Sequence, residues 1–105
     1  MRTFPRELAA FREIVDARGA ALRQSTFDAL EGLESAPIEH LEVEARAATI
    51  GIIVQRVEGG RLRVVVQGFM DNRFFPGQSV ALDGFYKNSD GSVAPMPDKE
   101  FYEFD

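Results

Sequence analysis

The chain contains no cysteine, which removes disulfides, thiolate metal ligands and thiol nucleophiles in one step. It has a single histidine, His40, so a His-rich metal site is impossible and a serine triad would have only one imidazole to draw on. None of Ser25, Ser35, Ser79, Ser89 and Ser92 lies in a Gly-x-Ser-x-Gly elbow, which argues against that chemistry. No apolar run approaches the ~20 residues that cross a bilayer. The first residues lack the apolar core and small-residue cleavage site of a secretory signal. The expectation is a cytoplasmic protein with no membrane contact.

Base is also scarce. Twelve Lys and Arg stand against seventeen Asp and Glu, for a net charge of −5. Residues 36–44 carry Glu39, Glu42 and Glu44 with no base; residues 45–80 carry five arginines against Glu58 and Asp71; residues 81–105 return to acid. Such a balance repels phosphates, so nucleic acid is not an expected partner. A helix-turn-helix in residues 4–34 would have Arg12, Arg18 and Arg23, cancelled by six acids. Gly59-Gly60 joins strand to strand with no helix behind it, so no phosphate cradle is present.

With 105 residues and 45% apolar content, the chain is long enough to bury a core of its own and is expected to form one α+β domain over residues 1–105. Its helical part spans about 4–34, its sheet about 39–97, and a C-terminal turn about 98–104. Phe4, Leu8, Phe11 and Val15 recur at helical spacing, with Thr3 as a cap and Pro5 in the first turn. Gly19 after Arg18 reads as a stop. Leu22, Phe27, Leu30 and Leu33 line a second helix, with the break anywhere from Gly19 to Ser25; one long broken helix is the alternative. Ser25 with Asp28 offers a restart.

Strand patterns follow. Leu41 and Val43 alternate with His40, Glu42 and Glu44 in a short edge strand. Three such groups on one side of a strand have metal-ligand character, but charge on an open edge is their simpler role, and neither metal nor cofactor is expected. Ala45 to Thr49 reads as a bulge or bend. The runs Ile50–Val57 and Leu62–Phe69 flank Glu58-Gly59-Gly60-Arg61, a hairpin signal. Val80, Leu82 and Tyr86 alternate along a fourth strand, and Asn88-Ser89-Asp90-Gly91 turns into a fifth, Ser92–Met96, confined to an edge by Pro95 and Pro97. The fold expectation is an N-terminal helical pair packed on one face of a four- to five-stranded antiparallel meander.

If Gly59-Gly60 is a two-residue turn, Val57 faces Leu62, Ile53 faces Val66 and Gly51 faces Gly68. The helix side then carries Val57, Leu62, Val64, Ile53 and Val66, and the opposed glycines open a slot for close approach. The other side carries Ile50, Ile52, Val54, Val65 and Phe69. Either Phe101, Tyr102 and Phe104 fold back over it, or it meets a partner. Beside it, Arg73, Phe74 and Phe75 between two turns have the aromatic-plus-arginine composition of interface hot spots.

The expected function is therefore protein–protein interaction without catalysis, by homodimer formation or by stoichiometric binding of a protein partner. Small acidic inhibitors are one instance of that class. The candidate surface is Ile50, Ile52, Val54, Val65, Phe69, Arg73, Phe74 and Phe75. The alternative is a small-ligand protein or small enzyme with a pocket between helices and sheet, using Arg73, Asp83 and Tyr86 as polar contacts.

Overall fold

A computed structural model describes residues 6–35, 37–43, 45–71 and 77–101, with backbone alone for residues 6, 7, 34, 35, 98 and 101. Helix α1 (Arg6–Arg23) and the short α2 (Phe27–Glu31), extended by a 3-10 turn (Gly32–Ser35), precede five strands: β1 (Glu39–Val43), β2 (Arg46–Arg56), β3 (Leu62–Asp71), β4 (Gln78–Lys87) and β5 (Val93–Pro95). A last turn of helix, α3 (Asp98–Phe101), follows. The strands form one antiparallel sheet in the order β1-β2-β3-β4-β5. This is the expected α+β arrangement, with helices on a five-stranded meander. No helix among the described residues is long and apolar enough to cross a membrane. The expected caps Thr3 and Pro5, and Phe4 of the first stripe, lie outside the described residues.

Gly19 does not stop the first helix. It is buried within α1, where an added Cβ would fall 1.7 Å from Asp83 Oδ2, so its lack of a side chain makes room for a β4 carboxylate. The break comes later. Gln24 and Ser25 close on the carbonyls of Ala21 and Leu22, and the Thr26 hydroxyl accepts from Ala29 N, making Thr26 rather than Ser25 the cap of α2.

β2 likewise begins earlier than expected. Ala45 turns the chain with φ of 66°, and Val43 pairs with Arg46, so the stretch read as a bulge or bend is strand paired with β1. Alanine at positive φ is uncommon and costs roughly 1–2 kcal/mol, which is why the sequence gives no turn signal here.

The β2–β3 register corrects the sequence expectation by one residue. Glu58-Gly59-Gly60 form a three-residue turn closed by Val57 N donating to Arg61 O (3.0 Å), with both glycines at positive φ (82° and 75°). An odd loop shifts the pairing: Ile52 faces Val66, Ile53 faces Val65, Val54 faces Val64 and Gly51 faces Gln67. β3 keeps the expected faces, while every β2 side chain changes side.

The helix-facing layer is consequently well filled. Phe11 and Val15 of α1 pack with Val43, Ala48, Ile50, Val66, Met70 and Ala81; Leu30 of α2 packs with Val54, Leu62, Val64 and Phe85. Of the two glycines expected to oppose each other, only Gly68 forms the slot. A Cβ there would lie 2.6 Å from Phe11 Cζ and 2.9 Å from Val15 Cγ2. Gly51 points to the opposite face.

Candidate functional site

The second face of the sheet, away from α1 and α2, holds the features with most bearing on function. Its rows follow from the registers. Gln55, Arg63, Tyr86 and Ala94 form one row across β2–β5; Ile53, Val65 and Gly84 the next; then Gly51, Gln67 and Leu82; then His40, Thr49, Phe69 and Val80.

One end of this face is covered. Met96 follows β5 and lies over Gly84, where a Cβ would meet Met96 Sδ and Cε at 3.1 Å. Met96, Val65 and Tyr86 form a buried cluster, with Ile53, Val57, Leu82 and Ala94 packed against it. Glu100 on α3 anchors the cover: it accepts from the Tyr86 hydroxyl and from Arg63 Nη1 (3.2 Å). Arg63 also donates to Gln55 Oε1 (3.0 and 2.5 Å), and Arg61 stands 4.0 Å over the Tyr86 ring.

These contacts shift ionisation in opposite senses. Hydrogen bonding from Tyr86, with help from Arg63, holds the Glu100 carboxyl below its ordinary value although partial burial opposes this. Burial, reinforced by the hydrogen bond to Glu100 and then by its charge, pushes the Tyr86 phenol up. The group is a latch between a terminal helix and a sheet, and both perturbations are explained by that role.

The other end is more open. Phe69 and Val80 are half-buried there, Leu82 lies between them and the Met96 cover, and Ile38, near Gly51, is 60% exposed. Among the described residues Phe69 and Val80 join none of the three buried clusters. His40 and Glu42 are exposed at the β1 margin, Glu44 lies outside the described residues, and no group of three or more potential metal ligands occurs among those described.

The predicted surface residues do not share a face. Ile50 and Val54 are buried against the helices and Ile52 packs beside them, because the three-residue turn sends them there. Val65 is on the second face but fully buried under the C-terminal cover. Phe69 remains on the open end, and Arg73, Phe74 and Phe75 lie outside the described residues. Of the side chains expected to fold back, Tyr102 and Phe104 also lie outside, and Phe101 is described by backbone alone; among the described residues Met96 and Glu100 contribute cover.

The polar trio fares similarly. Asp83 and Tyr86 project from opposite faces of β4 and share no pocket, and Arg73 lies outside the described residues. Asp83 binds Arg23 in a forked pair (2.6 and 3.1 Å) on the helix side. Arg23 also donates to Gly84 O (3.2 Å) and lies 4.9 Å from the Phe85 ring centre. The Asp83 hydrogen bond raises the Arg23 pKa against the opposing effect of burial. The pair fastens the end of α1 to β4, and no local pattern in the sequence could have revealed partners so far apart.

Surface cavities add two further features among the described residues. A notch of about 410 Å³ is lined by residues 24–28, Lys87 and 89–91. Lys87 there is 5% exposed and donates to Arg23 O (3.1 Å), completing the carbonyl end of α1. A groove of about 530 Å³ runs between α1 and the β4 edge, lined by Leu8, Ala9, Arg12, Glu13, Val80 and Ala81. Comparison with protein-family models, with curated proteins and with solved structures finds no match.

Proposed function

We propose that this chain is a non-catalytic cytoplasmic module that acts by binding another protein through the open end of its second sheet face. The observation that carries this reading is the half-buried apolar pair Phe69 and Val80, with Leu82 at the edge of the Met96 cover, beside Thr49 and Gln67 on the face opposite the helices. An antiparallel sheet covered on one side normally alternates apolar and polar residues, whereas here both faces of the central strands are apolar. Apolar patches of this kind, edged by polar side chains, are a common mark of protein contact.

The ionisable groups lend support. Among the described residues, those with displaced pKa values have structural partners: Arg18 with Glu39, Arg23 with Asp83, Tyr86 with Glu100, and Asp90 with Ser92 in the turn before β5. Each of these perturbations has a tethering explanation and asks for no catalytic one.

A photo-crosslinking residue at position 82 tests the reading in extract of the source cells. A discrete adduct with a second protein is expected, suppressed by excess unlabelled chain and lost when Phe69→Lys is added. Adducts that are absent, or that match those from a crosslinker at exposed Ala17 on α1, overturn it.

A further inference from the structure

Lys87 is the one charged side chain among the described residues that the fold buries. It projects from the helix side of β4, paired with Leu62, and its ammonium donates to Arg23 O (3.1 Å). An ammonium has three N–H donors, and that carbonyl takes one. The preceding carbonyls, Ala21 and Leu22, already accept from Gln24 N and Ser25 N (3.2 and 3.0 Å). Among the described residues no carboxylate forms an ion pair with Lys87. The end of α1 supplies roughly half a negative charge, which is less than a counter-ion. A buried cation stays costly until its charge and its hydrogen bonds are both met.

The unmet donors adjoin a cavity. Lys87 is part of the lining of the notch of about 410 Å³, a volume toward the small end of the range for ligand pockets. The rim carries two exposed acids, Asp28 on α2 and Asp90 in the turn between β4 and β5, and half-buried Phe27 adds an apolar wall. This rim is pre-formed. Asn88 N donates to Ser92 O and Gly91 N to Asn88 O (both 2.9 Å), while Asp90 Oδ1 accepts from the Ser92 N–H (2.9 Å) and hydroxyl (2.6 Å). On the α2 side, Thr26 caps the helix through Ala29 N (3.1 Å). A site held in this way loses little freedom when it is occupied.

We infer that the notch binds a free α-amino acid, its carboxylate on Lys87 and its ammonium on the rim formed by Asp28 and Asp90. Charge selects the class. A simple anion satisfies Lys87 but meets two carboxylates at the entrance. A simple cation suits the rim but opposes the buried ammonium. A zwitterion answers both, and an α-amino acid carries its two charges close enough together for so small a notch. Phe27 then faces the ligand's side chain, which favours an apolar one. Lys87 stands on the opposite side of the sheet from Phe69 and Val80, so this site and the protein contact proposed above can fail separately.

Amide NMR spectra of the full chain, titrated to millimolar concentration with each apolar amino acid in turn, test the site. At least one is expected to shift the amides of residues 24–28 and 87–91 saturably. Its hydroxy-acid analogue, lacking the ammonium, and its amine analogue, lacking the carboxylate, should each bind roughly tenfold or more weakly through loss of one charge-assisted hydrogen bond. Lys87→Met should abolish binding. Asp28→Asn, at an exposed position, should weaken it by a similar tenfold or more and decides the matter if Lys87→Met does not fold. Phe69→Lys should leave binding unchanged. The proposal is overturned if no amino acid shifts these amides, if either analogue binds as well as its parent, or if binding is indifferent to Asp28→Asn or to a folded Lys87→Met.

Discussion

Replacing Gly68 and Gly51 by alanine, one at a time, asks which glycine the helix layer rests on. At Gly68 the new methyl group would sit 2.6 Å from Phe11 Cζ and 2.9 Å from Val15 Cγ2, both fully buried. The ring edge can shift a little; the valine, β-branched and held against the sheet, cannot move as freely. Overpacking of this order costs ~1–3 kcal/mol. Alanine regains roughly 0.5–1 kcal/mol over glycine in a strand, so a net loss of about 1–2 kcal/mol is expected. At Gly51 the nearest atom is Ile38 Cγ1 at 3.9 Å, an ordinary contact. There only the gain operates, and Gly51→Ala should stabilise by ~0.5 kcal/mol. Urea unfolding and thermal melts read both, at about 4–8 °C for each kcal/mol in a domain of this size. Adding Phe11→Leu to Gly68→Ala should recover part of the loss, giving a combined effect smaller than the sum by ~1 kcal/mol. Two glycine variants moving the same way, or strict additivity with Phe11→Leu, would refute the register and the packing drawn from it.

Three further outcomes follow from the same geometry. Gly19→Ala should fail to stabilise α1 despite a helix-propensity gain of ~1 kcal/mol, because the methyl group displaces Asp83 from Arg23; chemical denaturation against Asp83→Asn measures this. Ala45→Gly should raise stability by ~0.5–1 kcal/mol by relieving its positive φ, read as a higher urea midpoint with unchanged slope. The latch should open in acid. The Glu100 pKa is lowered on folding, so its contribution is present above the ordinary carboxylate value of 4.5 and is lost as pH falls through the lower folded value. Hydrogen-exchange protection at Met96 and α3, taken relative to the intrinsic rate at each pH, should therefore fall below pH 4.5 in the wild type, and at neutral pH already in Glu100→Gln.

The order of elements was readable because strong local signals mark it: the Phe11–Val15 stripe, the β-branched runs around Gly59-Gly60, and the prolines that hold β5 to an edge. Side-chain placement on β2 was not. Two glycines suit a two-residue turn as well as the second and third positions of a longer one, and only burial against Phe11 and Leu30 distinguishes them. Gly19 misled because a helical glycine is ambiguous between a terminator and a space for a neighbour, and its neighbour, Asp83, is remote in sequence. The Ala45 turn carries no turn residue at all. Of the candidate surface, Phe69 keeps its place on the second face, while Met96 and Glu100 went unnoticed because nothing local connects them to Gly84 and Tyr86.

The seating of Lys87 has a chemical corollary. Lysine occurs in this chain only at positions 87 and 99. The first has its ammonium lodged against the Arg23 carbonyl that ends α1, and the second is exposed on α3. Amine-directed reagents and conjugating enzymes therefore meet one accessible side-chain target in the described fold. It lies next to the glutamate that fastens the C-terminal cover, so acylating that nitrogen places a bulky adduct beside the contact that holds the cover to the sheet.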